Sequence, residues 1–236
     1  TESDLAYVQN KGTLVVGITE FEPMDYQNTD GEWIGFDADL AKEFAESLGV
    51  TVEFQLIDWD NKVMELDGKT IDVVWNGMTL TEDVLAAMEC SQPYLINQQV
   101  VVVPADVAED YQTEESLADL NFAVEIGSAG CEVAQANGYS YTEVADQATA
   151  LLEVASGTAD AAIIDSLMAG AMIGEGTSYA DMTSTVALTS EEYGVGFRKG
   201  SDLAATLNEF LSGKYADGSI QTLAETYGVQ DALVQE

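Results

Sequence analysis

Residues 71–84 read Ile-Asp-Val-Val-Trp-Asn-Gly-Met-Thr-Leu-Thr-Glu-Asp-Val, and this stretch decides the fold class. The apolar run over residues 71–75 predicts a short buried strand, and Thr81 is a typical N-cap for a helix that follows it. Residues 76–81 then form a loop at the carboxyl end of a strand. Open α/β sheets bind their ligands at such loops, and we therefore expect a ligand-binding loop here.

The loop carries side chains that suit a small polar ligand. Asn76 offers an amide, Gly77 exposes its backbone and Thr79 supplies a hydroxyl. Met78 lies between them, and Val84 follows in the first turn of the predicted helix; both belong to the predicted site. The alternative for Asn76 and Thr79 is structural, since both residue types are common in turns and at helix starts.

Strand-like and helix-like patterns alternate along the rest of the chain, which predicts an α/β fold. Continuous apolar runs are typical of buried parallel strands, and apolar side chains on one helical face are typical of surface helices. The predicted strands cover residues 13–19, 52–57, 71–75, 98–103, 122–126, 159–164 and 193–198. The predicted helices cover residues 37–48, 60–66, 129–137, 146–156, 166–173, 203–211 and 220–227.

The composition is strongly acidic. The 236 residues include 43 Asp and Glu against 7 Lys and Arg, which gives a formal net charge of −36 at pH 7. Without a basic patch to neutralise phosphates, nucleic acid is excluded as a partner, and an anionic membrane surface is disfavoured for the same reason. We interpret the acidity as a solvated surface.

Cysteine and histidine usage excludes several kinds of site. Cys90 and Cys131 are interpreted as buried thiols, because two cysteines without further ligands make neither a disulfide framework nor a metal site. The chain has no histidine, so imidazole catalysis and the common zinc sites are absent. We expect no cofactor and no metal.

The chain contains no run of 18 apolar residues, and no membrane span is predicted. The first residues lack the charged and apolar segments of an export signal. We expect any such signal to have been removed.

Several short motifs occur in one order along nearly the whole chain. They are Phe21-Glu-Pro-Met24, Gly35-Phe-Asp-Ala-Asp-Leu40, Gly68-Lys-Thr-Ile-Asp72, Gly77-Met-Thr-Leu-Thr81, Ser91-Gln-Pro-Tyr94, Gly127-Ser-Ala-Gly130, Ala161-Ala-Ile-Ile-Asp165 and Tyr193-Gly-Val-Gly-Phe-Arg-Lys199. Together they resemble the motifs of bacterial extracellular solute-binding proteins of family 3, which supply polar amino acids to ABC importers. One departure stands out, because Val84 replaces the family's arginine that clamps the ligand's α-carboxylate.

The resemblance implies a fold of two doubly wound α/β lobes joined by a two-strand hinge, the type II periplasmic-binding-protein fold. Residues 1–96 and 192–236 would form the first lobe, and residues 97–191 the second. A ligand would bind in the cleft between hinged lobes, which is a favoured place for a small-molecule site. Periodicity alone also permits one larger sheet.

The resemblance also implies site residues. Phe21 and Trp59 stand where the family has aromatic rings that sandwich the ligand; ordinary core for Phe21 and a surface-covering aromatic for Trp59 are the alternatives. Asp165 stands where the family has an Asp that holds the ligand's α-amino group, with a helix N-cap as the alternative. Residues 127–130, including Ser128, precede a helix and suit an anion or a carbonyl oxygen; a glycine-eased helix start is the alternative.

The charges around this site favour a cation. Val84 cannot offset the hydration that a ligand carboxylate loses, and Arg198, the only arginine, is expected to face solvent. Glu125, Asp165 and Glu192 instead favour a positive group, together with the aromatic faces. We predict a ligand with an amine or other cationic group and a weak or absent requirement for an α-carboxylate. A cationic amino acid held by backbone donors stays open as the alternative.

The predicted function is capture of a small amine-bearing or cationic solute, an amino acid or a related amine, for an ABC importer. We expect a monomer outside the cytoplasm, in the periplasm or lipid-anchored to the outer face of the membrane, that contacts the membrane subunits of the transporter without inserting itself. A ligand-sensing receptor domain is one alternative. A dehydratase on the same fold is another, with Glu125 as acid and base, but no nucleophile and base pair accompanies Glu125, and we expect no enzyme.

Overall fold

The predicted strands of this chain form two separate large sheets, which excludes the single larger sheet that periodicity also permitted. The computed structural model describes residues 3–235, and these divide into two units. The first contains the described residues up to Thr19, Pro23–Ile96 and the described residues from Glu192 onward. The second contains Glu20–Glu22 and Asn97–Glu191.

The first unit combines a six-stranded sheet, a small two-stranded sheet and helices. The strands of these sheets are β1 (Thr13–Ile18), β2 (Tyr26–Gln27), β3 (Trp33–Ile34), β4 (Thr51–Leu56), β5 (Val73–Thr79), β6 (Glu89–Cys90), β7 (Leu95–Asn97) and β13 (Glu191–Phe197). The end residues Asn97 of β7 and Glu191 of β13 are grouped with the second unit. The helices are α1 (Asp4–Lys11), α2 (Phe36–Ser47), α3 (Lys62–Asp67), α4 (Glu82–Ala87), α8 (Leu203–Ala216) and α9 (Ser219–Tyr227).

The large sheet of this unit has the order β4-β1-β5-β13-β6, and β7 also pairs with β13. β4, β1 and β5 are parallel, while β13 is antiparallel to β5 and β6. Trp75 of β5 and Phe44 of α2 are fully buried and meet edge to face, with ring centroids 6.0 Å apart. Burial of the central parallel strands explains their continuous apolar runs.

β5 is longer than the predicted strand, and the loop predicted over residues 76–81 is therefore wrong for its first four residues. β13 lies antiparallel beside β5 and pairs Gly194 with Met78 and Tyr193 with Thr79. This pairing extends the ladder of backbone hydrogen bonds to the end of β5. Thr81 is the N-cap of α4 as predicted, because its side chain accepts a hydrogen bond from the first turn of that helix.

Arg198 was expected to face solvent, and this expectation is wrong. Its side chain is 11% exposed and donates to Oδ1 of Asp4 at 2.7 and 2.9 Å and to Oδ1 of Asp72 at 3.1 Å. Lys11 Nζ binds the other oxygen of Asp72 at 2.5 Å, and the Tyr7 ring lies 5.6 Å from the guanidinium carbon. The only arginine of the chain therefore attaches α1 to the first unit.

The second unit is organised around a five-stranded sheet with the order β10-β9-β11-β8-β12. Its strands are β8 (Gln99–Pro104), β9 (Asn121–Glu125), β10 (Ser140–Val144), β11 (Ala161–Asp165) and β12 (Met182–Ala187). Its helices are α5 (Ala129–Ala136), α6 (Gln147–Ser156) and α7 (Ser166–Met172). β10, β9 and β11 are parallel, and β8 is antiparallel to β11 and β12. The sequence did not predict β10 and β12, because these two edge strands are largely polar and mostly not buried.

Phe21 was placed in the first lobe by sequence, whereas the structure groups Glu20–Glu22 with the second unit. The Phe21 side chain is buried, at 3% exposure. Phe21 is therefore a residue of the second unit, and its predicted contact with a ligand stays a prediction.

Candidate functional site

Asn76 and Gly77 lie inside β5, and their polar groups have partners within the first unit. Asn76 is buried; its Oδ1 accepts from the Thr19 N–H at 3.0 Å and its Nδ2 donates to Thr19 Oγ1 at 2.7 Å. The Gly77 N–H donates to Oδ2 of Asp37 at 2.6 Å. These contacts favour the structural alternative for Asn76, and its contact with a ligand stays a prediction.

Asp37 lies in the first turn of α2 and is completely buried. Its Oδ1 accepts a hydrogen bond from the Tyr94 hydroxyl at 2.7 Å. Burial raises the pKa of Asp37 to about 7, and the hydrogen bonds from Tyr94 and Gly77 oppose that rise. The Gly-Phe-Asp motif therefore joins α2 to β5 and to the segment before β7.

Trp59 is buried at 6% exposure, and so the surface-covering alternative is wrong. It shares an apolar cluster with Met78 and Val84. The ammonium group of Lys62 lies 4.7 Å from the centroid of the Trp59 ring and donates to the Trp59 carbonyl at 3.2 Å. A cation already stacked on this ring weakens the expectation that Trp59 attracts a second one.

Lys62 is a candidate that sequence reasoning missed. It is buried, at 9% exposure, which is uncommon for a lysine. The signal that could have found it is its spacing of three residues from Trp59, because residues three apart on a helical turn are neighbours. Lys62 places a positive charge against Trp59, which belongs to the same apolar cluster as Val84.

Thr79 and Glu192 lie at one end of the paired strands β5 and β13. Thr79 is half-buried and is the last residue of β5, opposite Tyr193. Glu192 is exposed, and its carbonyl accepts a hydrogen bond from the Leu80 N–H at 2.9 Å. The structure thus brings these two predicted site residues together, and their contact with a ligand stays a prediction.

Asp165 ends β11 in the second unit and is 4% exposed. Its Oδ1 accepts from Nε2 of Gln99 at 2.6 Å and from Nε2 of Gln147 at 3.1 Å. The Asp165 N–H in turn donates to Oε1 of Gln147 at 2.9 Å. The residue is the N-cap of α7 by position, as the alternative proposed, but its side chain makes no capping hydrogen bond. Two neutral amides hold this carboxylate in place.

Glu125 and Ser128 lie where β9 leads into α5. Glu125 is 4% exposed, and its carbonyl accepts a hydrogen bond from Ser128 Oγ at 2.7 Å. Ser128 is the N-cap of α5, and its Oγ accepts from the Cys131 N–H at 3.1 Å. The Ser128 hydroxyl therefore both donates and accepts within the cap, which favours the helix-start alternative for this side chain.

The two units differ sharply in charge. All seven basic residues of the chain belong to the first unit, and residues 20–22 and 97–191 include no Lys, Arg or His. The buried carboxylates of Glu125 and Asp165 thus belong to a unit whose own side chains carry no positive charge. The negative electrostatic potential of such a unit favours the approach of a cation to these carboxylates.

Cys90 and Cys131 are both free thiols. Cys131 is buried as expected, whereas Cys90 is half-buried. Burial raises the pKa of each thiol to about 11, so both are protonated at neutral pH.

Two kinds of feature were not found within residues 3–235. These residues contain no group of three or more His, Cys, Asp or Glu side chains that could hold a metal ion. No helix in this part of the chain is long and apolar enough to cross a membrane.

Relatives of known function cover nearly the whole chain. The family described as bacterial extracellular solute-binding proteins, family 3, matches residues 14–230. The L-cystine-binding protein TcyJ of Escherichia coli (strain K12) is 29% identical over 230 residues, which cover 96% of this chain and 86% of that protein.

Solved structures show the same fold. The arginine-bound form of truncated ArgBP from T. maritima is 33% identical with a TM-score of 0.81, covering 88% of this chain and 99% of that chain. The ancestral amino acid-binding protein AncCDT-1, described as a precursor of cyclohexadienyl dehydratase, is 31% identical with a TM-score of 0.87. The match covers 95% of this chain and 99% of that chain. The predicted type II fold of two α/β lobes is confirmed by these neighbours.

Proposed function

Because this chain belongs to family 3 of the bacterial extracellular solute-binding proteins, we propose that it captures a small amine-bearing solute for an ABC importer. The observation that carries this proposal is the carboxylate of Asp165. It is buried, it ends a central strand of the second unit, and two neutral amides orient it. A cationic amine would bind it through charge-assisted hydrogen bonds, which are about twice as strong as neutral ones.

The amino acid is the form of the solute that we favour. TcyJ is named for cystine and ArgBP is solved with arginine, and both relatives cover most of this chain. Lys62 supplies a buried ammonium group that would take the α-carboxylate in place of the missing arginine. Arg198 is not available for this role, because it binds Asp4 and Asp72. The amine without a carboxylate, which the sequence favoured, is the competing version.

Isothermal titration calorimetry with matched pairs of compounds separates the two versions. The pairs are lysine and cadaverine, ornithine and putrescine, and arginine and agmatine, which differ only in the carboxylate. In whichever pair binds to the chain, we expect the amino acid to bind at least about tenfold more tightly than the amine that lacks its carboxylate. Tighter binding of the amine would support the competing version.

Variants assign the two ends of the ligand. We expect Asp165→Asn to weaken binding of both members of a pair by about 30-fold or more, because the amine loses its charged acceptor. Lys62→Met should weaken the amino acid by about tenfold and leave the amine within about threefold. Lys42→Met, at a partly exposed lysine paired with Asp39, is the control and should change neither. A thermal-shift screen against amino acids, polyamines and quaternary amines in which no compound stabilises the chain would overturn the proposal.

Catalysis is the second candidate function, and it is suggested by the description of AncCDT-1 as a precursor of a dehydratase. Glu125 is the residue that such a role would use, since it is a buried carboxyl at a strand end. We propose that the chain is not an enzyme. Proton NMR of a bound compound after prolonged incubation should show no conversion; conversion that Glu125→Gln abolishes would establish the enzyme instead.

The proposed place of action is outside the cytoplasm, and the proposed partner is the membrane part of an ABC importer, with the chain acting as a monomer. The family description, extracellular solute-binding proteins, supports the place. Reconstituted importer should hydrolyse ATP faster with the liganded chain than with the chain alone. Binding of ligand without any such stimulation would favour the sensor alternative.

A further inference from the structure

Four polar side chains of the second unit form one chain of hydrogen bonds. Gln99 Nε2 donates to Oδ1 of Asp165 at 2.6 Å and to Oε1 of Glu191 at 2.7 Å. Asn97 Nδ2 donates to the same oxygen of Glu191 at 2.9 Å. Asn97 and Glu191 are the first and last residues of the stretch that forms most of this unit, so both stand where the backbone continues into the first unit.

The orientation of Gln99 is fixed by its surroundings. The residue is 1% exposed, and the two hydrogens of its amide NH2 point at two carboxylate oxygens. A reversed amide would place Oε1 against those oxygens, which is repulsive. Oε1 instead faces the start of α5, where an added Cβ on Gly130 would lie 2.9 Å from it. Among the described residues it accepts no hydrogen bond.

A second connection runs through the backbone of Gln99. Its N–H donates to Oγ1 of Thr189 at 2.9 Å, and that hydroxyl donates to Oε2 of Glu191 at 3.1 Å. Both oxygens of Glu191 are thus tied to Gln99, one directly and one through Thr189. The start of β8 and the segment that enters β13 are held by one residue.

From this geometry we propose that Gln99 is a positioning residue that couples Asp165 to the segment around Glu191. In this segment, residues 188–194, the backbone passes from the second unit into the first, and we call it the crossing segment. The inference rests on the proposed function, because it takes Asp165 as the acceptor of the ligand's amine. Two carboxylates that share one neutral NH2 group repel each other, here between the buried Asp165 and the half-buried Glu191. A cation on Asp165 reduces that repulsion, and Gln99 then holds Glu191 more firmly. Binding of a cation to Asp165 thereby orders the crossing segment. A ligand can shift a conformational equilibrium only if it interacts differently with the two states, and this ordering would supply such a difference.

Hydrogen–deuterium exchange on the ligand-free chain tests the positioning role without knowledge of the ligand. In Gln99→Met, which keeps the length of the side chain but removes the donor, we expect amide exchange over residues 188–194 to rise about tenfold. Gln98→Met is the matched control, because the Gln98 side chain is exposed, and it should leave exchange over this segment unchanged. Equal effects of the two variants, or an effect of Gln99→Met confined to residues 97–103, would overturn the proposal.

Gln99→Glu adds a readout that simple loss of packing would not move. The introduced carboxyl has the same shape, donates one hydrogen bond when protonated and repels both neighbours when ionised. Compared with the wild type at the same pH, exchange over residues 188–194 should be near normal at about pH 5 and raised at about pH 8. Gln99→Met should differ from the wild type equally at both values. A pH-independent effect of Gln99→Glu would contradict the positioning role.

A double-mutant cycle tests the coupling itself. Asp165→Asn removes the negative charge and so imitates neutralisation by a cation; it should slow exchange over residues 188–194 by about threefold in the presence of Gln99 and have no effect in Gln99→Met. The same change in both backgrounds would overturn the coupling. Loss of amine binding in Asp165→Asn tests the proposed function separately. If binding is lost but the exchange effect is absent, the proposed function stands and the coupling fails. If the exchange effect is present but binding is normal, Gln99 does position Glu191, but Asp165 is not the acceptor of the amine and the link to the ligand is overturned.

Discussion

The Oδ2 atom of Asp37 accepts a hydrogen bond of 2.6 Å from the Gly77 N–H, while its Oδ1 atom accepts one of 2.7 Å from the Tyr94 hydroxyl. Asp37 begins a helix, Gly77 lies within a central strand, and Tyr94 precedes another strand. One buried carboxyl group therefore joins three segments that are distant in sequence. Because it is fully buried, its protonation state bears directly on the stability of the first unit.

Asp37→Asn should flatten the pH dependence of stability. Burial raises the pKa of Asp37 from 3.8 to about 7, so between these values the folded chain binds more protons than the unfolded chain. The stability that this group contributes is fully present below about pH 3.8, is lost as the pH rises from there to about 7, and changes little above that. Urea denaturation should show that the wild type loses stability relative to the variant between about pH 4 and pH 7. The exposed Asp30→Asn is the control, and a constant difference for Asp37→Asn would contradict this origin.

Arg198→Met should destabilise the chain strongly. The Arg198 side chain is 11% exposed and binds Asp4 and Asp72, and its removal leaves two carboxylates with less positive charge nearby. We expect a loss of about 3–5 kcal/mol in the free energy of unfolding, as for other broken buried ion pairs. Lys42→Met breaks a more exposed pair and should cost less than about 1 kcal/mol. Equal losses in the two variants would show that burial does not set the cost.

Gly130→Ala should also destabilise the chain, although alanine is the better helix former. The added Cβ would lie 2.9 Å from Gln99 Oε1 and 3.0 Å from the backbone oxygen of Ile163. We expect a loss of about 1–3 kcal/mol by chemical denaturation, because the backbone of β11 cannot easily move away. Gly213→Ala is matched to it, since this glycine lies in α8 and an added Cβ meets nothing within 4 Å. That variant should gain about 0.5–1 kcal/mol.

Val84→Arg tests whether this position can carry the family's arginine. Val84 is 8% exposed and packs in the apolar cluster with Trp59, so a guanidinium there is either buried without a partner or forces the cluster apart. We expect a loss of about 2–4 kcal/mol in the free energy of unfolding. Leu85→Arg, one residue later and 48% exposed, should stay within about 0.5 kcal/mol. If Val84→Arg is tolerated and binds the amino acid more tightly, the side chain has reached the ligand instead.

The sequence predicted the position of Asp165 better than the surroundings of Asn76 and Gly77. Asp165 is buried at a strand end as its motif predicted, and it is the N-cap of α7 by position without a capping hydrogen bond from its side chain. Gln99, which orients it, could not be recognised, because a glutamine in an apolar run shows nothing of its partners. In the first unit, Asn76 and Gly77 carried the right residue types, but their polar groups bind Thr19 and Asp37.

The sequence by itself determined the family, the alternation of strands and helices, the Thr81 N-cap and the strong negative charge. These are local or additive properties, because periodicity, capping and composition do not depend on where distant segments lie. The tertiary structure alone decided that Arg198 pairs with Asp4 and Asp72, that β5 runs on to Thr79 and that Gln99 joins Asp165 to Glu191. Each of these depends on a partner far along the chain, and only the folded chain brings such partners within hydrogen-bonding distance.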